Sequence, residues 1–192
     1  QESSTGGQRC KSVNDAISDA INKGMFLVNY TGHGGEMGWA HERILEIDDI
    51  NSWRNENKLP LFMTATCEFS RYDDPDRVSA GEQVFLKKNG GAIALLTTSR
   101  VVFTGSNLDL NTAFLENIFT DDDKNSSRLG DVLIRTKNNV IDVSNTNHRN
   151  FTLLGDPALQ LAYPKYNIVL NQIQDSAKAL GMVTISGEIQ SN

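Results

Sequence analysis

Three apolar runs, Met25–Tyr30, Leu61–Thr66 and Ala92–Thr98, each stop abruptly at polar residues, and a helical pattern separates each from the next. A gap of roughly thirty residues is the length of a right-handed crossover between parallel strands. Runs that are apolar throughout, rather than at every second residue, mark strands covered on both faces. The pattern predicts an α/β domain built on a doubly wound, mostly parallel sheet with helices on both faces. Such sheets carry their chemistry at the carboxyl ends of the strands. The polar tips of these three runs are therefore the places to look for function.

The helices are written between the runs. Ser12-Val-Asn-Asp15 fits a capping box with Asp in place of Glu, and Val13, Ala16, Ile17, Ala20 and Ile21 form one apolar face that Gly24 closes. Further helices are predicted at Asp48–Asn55, Ser79–Lys88, Leu110–Phe119 and Arg128–Val140, whereas Glu36–Glu42 reads as a polar loop and 1–7 as a loop. Phe151–Leu161 closes the domain, with a turn at Gly155-Asp-Pro157 and a last strand at Leu159–Tyr163. Pro164 marks a boundary. Beyond it Tyr166–Gln172 and Met182–Ile189 read as two strands without an intervening helix, so that 1–163 forms one domain and 164–192 a linker and the start of a β domain. A chain opening on Gln1 rather than methionine reads as an excised piece of a longer protein.

A net charge of −6 does not fit a general nucleic-acid binder. No run approaches the roughly 18 apolar residues needed to cross a bilayer. Two cysteines, Cys10 and Cys67, are too few for a disulfide framework.

The tip of the first run is Thr31-Gly-His-Gly-Gly35, and the tip of the second is Thr66-Cys67-Glu-Phe-Ser70. A lone cysteine ending an apolar run is by itself most often a small core residue, and a lone histidine there most often bonds a loop. Their pairing on adjacent predicted strands changes that reading. Cys67 stands where the apolar pattern stops, reachable by solvent and close to the N-terminus of a following helix, a setting that favours thiolate. His33 can act as base toward the thiol and acid toward a leaving amine, and the flanking glycines let a substrate approach. The N–H of Gly34 can donate to a developing oxyanion. Other motifs are weaker. His41-Glu42 with His148 gives no zinc spacing, and Asp121–Asn125 departs from a calcium loop by carrying Ser126 where glycine belongs. No cofactor is called for, and a structural calcium has no specific motif behind it.

Tyr30-Thr-Gly-His-Gly-Gly35 together with Thr64-Ala-Thr-Cys-Glu-Phe-Ser70 resembles the catalytic core of the gingipain-type cysteine peptidases of the caspase-like clan. The segment Gly32–His41 and the ending Asn150–Leu159 are similar to the gingipain-like sortases of the type IX secretion system. The resemblance runs over roughly residues 12 to 163. It implies a caspase-like fold, truncated at its N-terminus, with His33 and Cys67 as catalytic residues and the N–H groups of Gly34 and Cys67 as the oxyanion hole. It also implies that Ser99, Arg100 and Val101 help line the substrate pocket. The acid that orients the histidine in this family has no counterpart in residues 1–32, since Asp15 and Asp19 lie on a helix, and is expected upstream of Gln1. The implied substrates are secreted proteins whose C-terminal sorting domain is removed at the bacterial surface, and the implied partners are outer-membrane components of the secretion system. Plain gingipain-like hydrolysis and a non-catalytic scaffold remain the alternatives.

Overall fold

The computed structural model describes residues 2–4, 7–119, 127–140, 146–163, 166–172, 176 and 179–191. Its Cα framework divides into two units, Gln1–Gln160 and Leu161–Asn192.

The first unit opens with a small antiparallel hairpin, β1 (Glu2–Ser4) and β2 (Gly7–Arg9), where the sequence predicted a loop. Helix α1 (Lys11–Lys23) then leads through Gly24 into β3 (Leu27–Thr31). Three short antiparallel strands follow: β4 (Gly34–Gly35), β5 (Gly38–Trp39) and β6 (Leu45–Glu46). After α2 (Ile47–Ser52) come β7 (Leu61–Ala65), α3 (Ala80–Leu86), β8 (Ala94–Thr98), α4 (Thr104–Ile118) and α5 (Leu129–Asn139). A 3₁₀ turn, Asn147–Asn150, delivers β9 (Phe151–Leu154).

The main sheet has the order β3-β7-β8-β9. β3, β7 and β8 are parallel, as the three apolar runs predicted, and β9 is antiparallel to β8. All residues of β7 and β8 are buried, because helices cover both of their faces. The register Val28↔Phe62↔Leu95 puts these side chains on one face, where they pack with Ile21 of α1, Ile50 of α2, Trp53 and Val84 of α3. On the other face α4 meets β3 and β7, and α5 packs on α4. Burying side chains such as Trp53, Phe62 and Phe69 contributes roughly 1.5–3 kcal/mol each.

Several expectations are corrected. β3 is only half-buried, because among the described residues it is the edge strand and lacks a neighbour on one side. The box predicted at Ser12 does not form. The helix already begins at Lys11, and Asp15 turns outward to pair with Lys11 one turn back, at 2.8 Å. Reciprocal capping boxes occur instead at Glu46/Asp49 before α2 and at Ser79/Glu82 before α3. The closing strand is Phe151–Leu154, ahead of the Gly155 turn rather than after it. Its register with β8 pairs Phe151 with Thr98, whereas Leu159–Tyr163 forms no strand and only Gln160 makes an isolated bridge, to Arg128. Helix α4 starts six residues earlier than Leu110. The stretch Asp121–Asn125, whose sequence departs from a calcium loop, lies outside the described residues.

The second unit contains an antiparallel pair, β10 (Tyr166–Gln172) and β11 (Ser186–Ser191), with an irregularity between Leu170 and Gln172. The later strand is shifted toward the C-terminus of the expected Met182–Ile189, with Ile168 opposite Ile189.

Candidate active site

The parallel register of β3 and β7 ends with Thr31 opposite Ala65, and the Gly32 N–H donates to the Ala65 carbonyl at 3.4 Å. His33 follows β3 and Cys67 follows β7 by two residues each, at the carboxyl ends of two paired parallel strands. The two strands are direct neighbours in one sheet, at the spacing of a β-ladder.

Cys67 is a free, half-buried thiol. It begins a turn whose next residue, Glu68, has φ = 50°, a left-handed conformation that costs an ordinary side chain about 1–2 kcal/mol. The turn is held against the tip of β8: Glu68 N–H donates to Arg100 O at 3.3 Å, Ser70 N–H to Thr98 O at 2.9 Å, and the Thr98 hydroxyl to Thr66 O. A buried hydroxyl relay, Thr64 to Thr97 (2.8 Å) and Thr97 to Ser70 (2.9 Å), braces it from below. No helix follows Cys67 directly. The next one, α3, begins at Ala80 and its first turn is already capped by Ser79 and Glu82, so the expected proximity of a helix N-terminus to the thiol is not realised.

The segment 99–103 lies beside the thiol, whose Sγ donates to the Val102 carbonyl at 3.6 Å. Ser99 is turned toward Asn150, its N–H donating to the Asn150 carbonyl at 2.9 Å. Arg100 makes a two-pronged pair with Asp73, one contact of 2.8 Å, and that guanidinium holds the Asp73 carboxyl down at about 2. Val101 is exposed and its carbonyl accepts from the Asn150 side chain at 2.9 Å. Of the three residues predicted to line a pocket here, Arg100 thus has its charge engaged, and the group touching the thiol is the neighbouring Val102 backbone.

His33 is exposed. Among the described residues no carboxylate hydrogen-bonds its ring, and the ring it meets is that of His41, with centroids 5.6 Å apart. Its backbone is held firmly. The His33 carbonyl accepts from the Ala40 N–H and from the Tyr30 hydroxyl, both at 2.7 Å. The stretch read as a polar loop is the β4–β5–β6 ribbon, whose Trp39 is buried and stacked on Tyr30 at 4.3 Å. Gly38 permits the turn: at φ = 148°, and with a Cβ that would collide with the Leu45 carbonyl, it has no substitute. Gly34 lies against the buried, unpartnered hydroxyl of Thr66, where a Cβ would come within 2.5 Å of that oxygen. A cavity of about 320 Å³ opens on the ribbon side of His33, between Met37, His41, Arg43 and Glu46.

The ribbon and the turn after Cys67 are tied together. Glu36, nearly buried at the ribbon tip, pairs with Arg71 at 3.0 Å and Arg77 at 3.1 Å, and its carbonyl accepts from Ala80 N–H at 2.7 Å. Tyr30, Trp39 and Glu36 escaped the sequence reading. The Gly-Glu-Met-Gly spacing of a two-residue turn was the signal available for the ribbon. Among the described residues no group of three or more His, Cys, Asp or Glu side chains converges to hold a metal ion, and no helix is long and apolar enough to cross a membrane.

Comparison with known proteins gives a consistent result. Gingipain R2 and gingipain R1 of Porphyromonas gingivalis are each 39% identical over 51 residues, a stretch that is 27% of this chain and 7% and 5% of theirs. The solved complex of the P. gingivalis RgpB pro- and mature domains superposes with a TM-score of 0.70 at 20% identity, over 82% of this chain and 40% of that one. The Arg-specific cysteine proteinase gingipain R (RgpB) gives 0.69 at 21% identity, over 82% and 39%. The chain thus spans about two fifths of the solved gingipain chains and shares their fold. The model of peptidase family C25 matches residues 1–162, and the chain belongs to that family.

Proposed function

We propose that the protein is a cysteine endopeptidase in which Cys67 is the nucleophile and His33 the general acid–base. The observation that supports this reading is the parallel pairing of β3 with β7, the two strands whose carboxyl ends run into His33 and Cys67. His33 takes the thiol proton as sulfur attacks the scissile carbonyl carbon. The N–H groups of Gly34 and Cys67 receive the oxyanion. The tetrahedral intermediate collapses to a thioester, and the leaving amine departs with the proton from His33. Water or a second amine then releases the acyl group, again with His33 as base.

The finer reading is transfer rather than plain hydrolysis, as in the gingipain-like sortase of the type IX secretion system, PorU. Its support is the motif similarity at Gly32–His41 and Asn150–Leu159. On this reading the substrates are secreted proteins carrying a C-terminal sorting domain, processed at the bacterial surface beside outer-membrane components of the secretion system, and the acyl group passes to an amine there. A plain gingipain-like hydrolase is the second reading, favoured by the gingipains R1 and R2 among the relatives.

A thiol-reactive peptide probe on the full-length protein tests the chemistry. It is expected to label Cys67 in the wild type and far more slowly in His33→Ala, with Cys10 reacting equally in both. Labelling of Cys10 alone would overturn the peptidase reading. Mass analysis of products with and without an added amine separates the two outcomes: transfer leaves the amine on the new C-terminus, and hydrolysis leaves a free carboxylate.

A further inference from the structure

We infer that Tyr30 is a positioning residue for the oxyanion site, acting through the peptide unit that joins His33 to Gly34. This deepens the peptidase reading above and rests on it. The carbonyl of His33 and the N–H of Gly34 belong to one planar trans unit, so they point in opposite directions and turn together. The structure clamps the carbonyl end with two donors, the Tyr30 hydroxyl and the Ala40 N–H, both at 2.7 Å. With that oxygen fixed, the direction of the Gly34 N–H is fixed as well.

The ladder geometry agrees. Hydrogen-bonded and non-bonded pairs alternate along an antiparallel ribbon. The bond from Ala40 to His33 makes that pair the bonded kind, so the next pair, Gly34 with Trp39, is the non-bonded kind. The N–H of Gly34 is thereby directed away from the partner strand, outward from the ribbon. Acceptance of two hydrogen bonds at the carbonyl also polarises the unit and makes its N–H a stronger donor.

Tyr30 is itself held by the core. Its ring stacks on Trp39 at 4.3 Å and 7°, and Trp39 packs on Phe62 and Phe69. Burial, with a smaller contribution from Glu42, pushes the Tyr30 phenol above its ordinary range, so it keeps its proton and donates at neutral pH.

The experiment compares wild type with Tyr30→Phe, which keeps the stacking and removes only the hydroxyl, in the full-length protein. Three readouts are used: kcat and KM on a cleaved peptide, affinity for an acetyl-tripeptide aldehyde of the same sequence, and the rate of Cys67 alkylation by iodoacetamide. The aldehyde forms a hemithioacetal whose oxygen needs the oxyanion donors, whereas alkylation needs only the thiol and its base. The expected result is a fall of about tenfold in kcat and in aldehyde affinity, with KM and alkylation unchanged. Unchanged aldehyde affinity would overturn the inference, and so would a parallel loss of alkylation, which marks general disturbance of the site. If the wild type shows no His33-dependent alkylation and cleaves nothing, the peptidase reading is what has failed. The clamp is then judged by the Gly34 amide nitrogen resonance, which shifts in Tyr30→Phe if the hydroxyl bonds the His33 carbonyl and stays in place if it does not.

Discussion

Glu36 and Arg71, 3.0 Å apart, join the ribbon that follows His33 to the turn that follows Cys67. Neither residue belongs to the sheet, yet their pairing, shared with Arg77, links the two loops that carry the candidate site. Glu36 is nearly buried while both arginines are substantially exposed, so solvent screens the pair and its worth is modest. Glu36→Gln is expected to lower stability by about 1 kcal/mol in urea denaturation. It should also slow Cys67 labelling, with both effects shrinking as salt is raised.

His33→Ala is expected to lower turnover and probe labelling by about 10²–10⁴-fold, the usual contribution of a general acid–base. Because the ring is exposed and, among the described residues, makes no hydrogen bond to the core, the melting temperature should hardly move. A large loss of stability without loss of labelling would assign His33 to the scaffold instead.

Gly34→Ala places a methyl 2.5 Å from the Thr66 hydroxyl and 2.8 Å from the Gly38 carbonyl. Backbone on one side cannot yield as a flexible side chain would, so the ribbon must shift. The expected outcome is a loss of roughly a hundredfold in kcat, in the range found when an oxyanion donor is displaced. Gly34→Ala with Thr66→Ser, which removes a methyl but keeps the hydroxyl, should not restore it. Thr66→Ala removes the nearer obstacle and should restore part.

The Asp73 carboxyl, held at about 2 by Arg100, has a folded pKa below its ordinary 3.8. Its pairing therefore adds stability above the ordinary value and loses it as pH falls through the interval from 3.8 to about 2. Asp73→Asn should flatten the acid limb of the stability curve in that interval and leave the curve near neutrality parallel to wild type. It should also free the segment at Arg100, seen as faster proteolysis there.

The sequence by itself determined the parallel frame. Leu61–Ala65 and Ala94–Thr98 are legible because central strands are covered on both faces and so are mainly apolar and free of charge along their whole length. The periodic face of α1 is legible because apolar residues recur at helical spacing, and the tips at His33 and Cys67 because the apolar runs stop just before them. Tertiary structure decided the rest. The strand Phe151–Leu154 and the discarded Leu159–Tyr163 are both apolar, and which of them pairs depends on register with Thr98, a contact between segments distant in the chain. The strands of the ribbon, two residues each, are too short to show a period, and tertiary contacts such as the burial of Trp39 under Tyr30 and the pairing of Glu36 with Arg71 hold them. Tyr30 looked like one more apolar strand residue. That its hydroxyl grips the His33 carbonyl follows from the chain folding back over Trp39, which no local pattern encodes.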